Sequence, residues 1–248
     1  METAPQIGPQ RIDGISVFTR LLFGVLGGIA GLLLLLLALA VAGSFLNNVF
    51  QEDSVFSGVA SFAILTSLFL ASTITNLLSV WLFTVTNQPK YTRITEGLMQ
   101  SLIINIVLFL FTIGAFFLTE TTNHMLTFAA ITFHLVFTAM ATVIMFEITA
   151  TRWSYPLVTV YDALLGTFVA AVLLIALYAM FEAKPMQFFF GVPVVVWGSI
   201  GFVSGLTEYV YYQSYRRLGV DVLQTREVAA KDAPAEEQFP DLEDDKPF

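Results

Sequence analysis

Six stretches of this sequence stay apolar for as long as a bilayer is thick, and no other feature constrains the chain so strongly. A spanning helix needs about 20 such residues, and the runs at 21–45, 55–85, 98–118, 125–148, 157–181 and 188–212 satisfy that length. Hydrocarbon offers no partner to a backbone N–H or C=O, so each run must bond within itself as a helix. The expected fold is therefore an all-α bundle of six transmembrane helices joined by short loops. Proline placement agrees. Only Pro193 of nine prolines falls inside a run, while Pro89, Pro156 and Pro185 occupy connections, where a missing N–H costs little. The second run is too long for one upright crossing, so it tilts or begins with a turn in the interface.

Composition then removes whole classes. Charged residues make up 12% of the 248, against roughly 25% in a soluble domain, and 24 Phe could not stay solvated in a disordered chain. Cysteine is absent, which excludes disulfides, thiolate nucleophiles and Cys-ligated zinc. Two histidines, His124 and His134, are too few for a multi-haem or di-iron centre. Each lysine (Lys90, Lys184, Lys231, Lys246) lies outside the runs, so no retinal Schiff base can form in a helix. No HExxH, Walker A or GxSxG occurs. Tyr161-Asp162 lacks the Gly-x-Gly-Asp partner of an intramembrane aspartyl protease, and Ser204-Gly205 lacks a rhomboid's accompanying motif. The chain reads as no enzyme, with no cofactor and no metal.

Where the charges fall says more than how many there are. The net charge is −8, but residues 218–248 hold nine acids against three bases, so the acidity belongs mainly to a tail that cannot build a core. Ten of eleven Lys and Arg fall on one side of the six runs, and Lys184 alone falls on the other. By the positive-inside rule both termini are cytoplasmic. The expected organisation is a cytoplasmic segment over 1–20, a membrane domain over 21–217 and a disordered acidic cytoplasmic tail over 218–248. The expected location is a plasma or cell inner membrane. Without a basic patch, nucleic acid is not a partner. Ala40-Val41-Ala42 resembles a signal-peptidase site, but the apolar run before it, about nineteen residues, exceeds a signal core, so the first helix is read as retained.

Small and polar residues supply the candidate sites. At about 100° per residue, Gly24, Gly27, Gly28, Gly31, Ala38 and Ala42 fall on one side of the first helix, and Gly198, Gly201, Ser204 and Gly205 repeat the pattern in the sixth. Small residues let helix backbones approach closely. Gly24, Gly28, Gly31, Gly198, Gly201 and Gly205 are thus expected helix-packing positions, within the chain or against a second subunit. Ser101, Asn105 and Thr112 share a face of the third helix, and Thr127, His134, Thr138 and Thr142 share one of the fourth. Together with Asn76 on the polar side of the second helix, Ser101, Asn105, Thr138 and His134 outline a candidate polar path. Glu147, Asp162 and Glu208 lie near the cytoplasmic ends of their helices. They are expected to reach water or pair with Arg152, Arg216 and Arg217, or to form a cytoplasmic vestibule for cations or protons. Asp162 shares its face with Gly166 and Ala170.

Two functions follow as expectations. The first is a helix-packing subunit or organiser of a membrane complex, with homo- or hetero-oligomeric partners in the bilayer and a soluble partner at Phe239-Pro240-Asp241-Leu242-Glu243. The alternative is a small channel or transporter along helices two to four near His134. Ion-coupled transport usually needs a carboxylate at mid-depth or interrupted helices, and the sequence offers only Pro193. That ranks the subunit first.

Overall fold

Pro156 and Pro185 stand at the first positions of two helices, where a fixed φ is pre-organised and the absent N–H is not missed. A computed structural model describes residues 14–49, 57–86, 91–120, 124–151, 156–180 and 185–219. The expectations for the tail, its docking motif and Arg152 lie outside the described residues. The elements are α1 (Gly14–Val49), α2 (Ser57–Thr86), α3 (Ile94–Glu120), α4 (His124–Ala150), α5 (Pro156–Met180) and α6 (Pro185–Arg217). Each contains a stretch long and apolar enough to cross a membrane, so the chain is all-helical among the described residues and has the form of a multi-pass integral membrane protein.

Helices α1, α3, α4 and α6 outrun their apolar runs at both ends, and one extension matters. Helix α1 begins at Gly14 rather than Leu21 and so takes Arg20 into its interior. Helix α6 continues through Pro193 to Arg217. It is closed by Gly219, whose φ of 72° suits a residue without Cβ and whose N–H donates to Arg216 O at 3.1 Å.

Helices α2 and α6 form the centre. Their most apolar windows are 56% and 67% buried, against 17% and 22% for α3 and α5. Helix α1 lies against both α2 and α6, α3 against α4, and α5 against α6. Phe83, Val143, Phe146, Val196, Trp197 and Ile200 fill the core between α2, α4 and α6. The ends of α1 (start), α2 and α4 (finish) and α6 (finish) converge where Arg93, Arg216 and Arg217 also lie, and this end is called the basic end below. There Thr92 N–H donates to Ala150 O at 2.9 Å, and Tyr91 pairs with Thr151 in an isolated bridge. This fastens the α2–α3 connection to the end of α4.

Candidate functional site

The α1–α6 seam is made by what the glycines lack. A Cβ placed on Gly24 would run into Trp197 O, one on Gly28 would sit 2.5 Å from Val194 Cα, and one on Gly201 2.6 Å from Arg20 O. Gly205 faces Val17, whose Cα would lie 3.1 Å from such a Cβ, and Gly198 faces Val25. Gly31 instead faces Thr75 of α2, so one glycine-bearing helix packs on two neighbours. Every one of these contacts lies within the chain.

Such close approach brings Arg20 across the seam. Its side chain is 2% exposed and uses its two terminal nitrogens on two helices: Nη1 donates to Glu208 Oε1 of α6, and Nη2 donates to Glu147 Oε1 of α4 at 2.6 Å. Tyr91 O–H donates to the same Glu147 oxygen at 2.7 Å. The guanidinium carbon also stands 4.9 Å from the centre of the Phe83 ring of α2, a cation–π arrangement. A planar fork with five donors is what lets one side chain serve two carboxylates at once, and a lysine could not copy it. Arg20 Nε is buried with no protein acceptor.

This cluster corrects two expectations. Glu147 and Glu208 are 3% and 4% exposed, and among the described residues both pair with Arg20 rather than with Arg216 or Arg217, which are exposed. Arg20 closes the expected cytoplasmic segment 1–20 and enters the sequence reading only through the charge count. The available signal was its spacing: Arg20 lies four residues before Gly24 on the small face of α1, and Glu208 lies seven after Gly201 on the small face of α6. Two glycine faces that meet carry opposite charges at the same end. Asp162 is also buried, on the α5 face where a Cβ on Gly166 would come 2.9 Å from Ile200 Cα of α6 and Ala170 is fully buried.

Farther from the basic end, three of the five candidate path residues, Asn76, Ser101 and Asn105, share a network with Thr142, while Thr138 makes a separate pair with Ser72. Asn76 Nδ2 donates to Asn105 Oδ1 at 2.9 Å, and Asn105 Nδ2 donates to Ser101 O and to Thr142 Oγ1, each at 2.7 Å. Ser72 and Thr138 hydroxyls lie 3.4 Å apart, and Thr138 donates to His134 O at 2.7 Å. Asn76, Ser101, Asn105, Thr138 and Thr142 are all buried. Beside them lies a void of about 10 Å³ bounded by Ser72, Thr75, Asn76, Pro193 and Trp197, room for about one water. The His134 side chain is not part of this network: its Nδ1 lies 2.8 Å from Thr112 Oγ1, between α3 and α4.

Fold and site together define a six-helix membrane bundle stapled by a buried arginine–dicarboxylate cluster. No known protein family, curated protein or solved structure matches the chain.

Proposed function

We propose that this chain is a non-enzymatic, pre-packed subunit or organiser of a larger membrane assembly. The observation that carries this reading is the mutual bonding of the amides and hydroxyl on the candidate path: Asn76, Asn105 and Thr142 bond one another, and the void beside Asn76 has room for about one water. A channel or transporter along Asn76, Ser101, Asn105, Thr138 and His134 would have to part that network. The glycine faces are occupied within the chain, which leaves α3 and α5, the least buried helices, to meet a neighbour. The basic end faces the cytoplasm in this reading, in a plasma or cell inner membrane, with the acidic tail available to a soluble partner.

Extraction from native membranes in lipid discs, followed by intact mass measurement, tests the proposal. The expected mass is that of the chain plus companions, whether copies of itself or other proteins. A solitary monomer would overturn the subunit reading, and ion or solute flux through reconstituted vesicles well above background would install the channel in its place.

A further inference from the structure

Between α3 and α4, away from the basic end, lies a groove of about 300 Å³ walled by Leu108, Phe111, Thr112, Phe133, His134 and Phe137. Small-molecule sites begin at about this size. Phe111 and Phe133 are 76% and 67% exposed, on helix stretches apolar enough to span a membrane. Whatever enters the groove therefore comes from the lipid.

The polar atoms of the wall determine what kind of lipid fits. Thr112 Oγ1 makes two hydrogen bonds, to Leu108 O at 2.9 Å and to His134 Nδ1 at 2.8 Å. A carbonyl only accepts, so the single hydroxyl proton goes to Leu108 O, and Nδ1 must supply the proton of the second bond. In the neutral imidazole this leaves the lone pair on Nε2. His134 is 7% exposed, and its Nε2 is buried with no protein donor, an unfavourable state for an acceptor. Phe109 meets the imidazole edge-on at 6.5 Å, and Phe133 stacks on Phe137 at 5.4 Å, so the surroundings are aromatic and no charged side chain among the described residues lines the groove.

We propose that this groove binds a membrane lipid alcohol, a largely apolar molecule whose one hydroxyl donates to His134 Nε2. The lipid body lies along Phe111, Phe133 and Phe137, and the hydroxyl reaches Nε2 when one of those exposed rings turns aside. Thr112 stands eight residues before the end of α3, about 12 Å along the axis, inside the stretch apolar enough to cross a membrane. A phospholipid headgroup would bring phosphate to a wall without a cation, and a pure hydrocarbon would leave Nε2 unfilled.

The full chain in phosphatidylcholine vesicles is exposed to a diazirine-bearing octadecanol or to its methyl ether, and labelled peptides are read by mass spectrometry. The alcohol should label the segments carrying Phe111 and Phe133 about five-fold more than the ether, the difference one net hydrogen bond makes. His134→Phe should bring alcohol labelling down to the ether level. Equal labelling by both probes, or undiminished labelling of His134→Phe, overturns the proposal. Should that variant fail to accumulate, the comparison of the two probes on the native chain decides alone.

Discussion

Along the α1–α6 seam two backbones touch because side chains are missing, Gly24 and Gly28 against Trp197 and Val194, and a charged cluster locks the basic end. Between α3 and α4 the opposite holds. There Asn105 reaches Ser101 and Thr142 through its amide, and the far half opens into an aromatic groove. The contrast concerns tolerance. A seam made of absent atoms has nowhere to put an added one, and a buried ion pair that loses one member leaves a charge in a poorly solvated place. Neutral amides and hydroxyls can fall back on their own helix carbonyls, as Thr112 and Thr138 already do.

The largest effect is expected from Arg20→Leu. It removes the buried cation that bridges Glu147 and Glu208, and breaking a buried pair by removing one partner costs about 3–5 kcal/mol. Thermal unfolding in detergent should show the loss, and Arg20→Lys should recover only part of it because an ammonium cannot fork to both carboxylates. A variant as stable as the native chain would erase the distinction between the seams. Next comes Gly201→Leu. Its first carbon would already lie 2.6 Å from Arg20 O, so α1 and α6 must separate at a cost of about 1–3 kcal/mol or more. The variant should lose yield and unfold earlier, and native yield with native stability would refute backbone contact at this seam.

How much of this was legible before the structure depends on the kind of signal. Long apolar runs announce helices because the bilayer leaves the backbone no alternative, and all six appeared, with α1 starting earlier than its run suggested. Glycine spacing announces a close face but not which helix it meets: Gly24 found α6, whereas Gly31 found α2. Arg20 stayed hidden for a physical reason. A basic residue just before an apolar run has the appearance of an interfacial anchor, and only the pairing of α1 with α6 brings Glu208 and Glu147 to it. Asn76, Asn105 and Thr142 were visible as inward-facing polar residues, but periodicity alone cannot distinguish a wetted path from a network that satisfies itself. That difference lies in distances of 2.7–2.9 Å across three helices.

The α3–α4 side should yield the smaller numbers. Asn105→Leu removes bonds to Asn76, Ser101 and Thr142, yet membrane polar contacts average about 0.6 kcal/mol each with a maximum near 1.7, so a loss of about 1–2 kcal/mol is expected. A loss matching that of Arg20→Leu would mean the two seams are equally intolerant. Tyr91→Phe sharpens the comparison from the charged side. It deletes one donor to Glu147 while leaving the Arg20 fork in place, and a net loss of about 0.5–1.5 kcal/mol follows from a single hydrogen bond. That loss should be the same at low and high salt, because a pair this buried is barely screened, unlike the exposed Arg93–Glu96 pair at 3.3 Å. If added salt erased the difference between Tyr91→Phe and the native chain, the cluster would be in contact with water, and the charged end would be as adaptable as the amide layer.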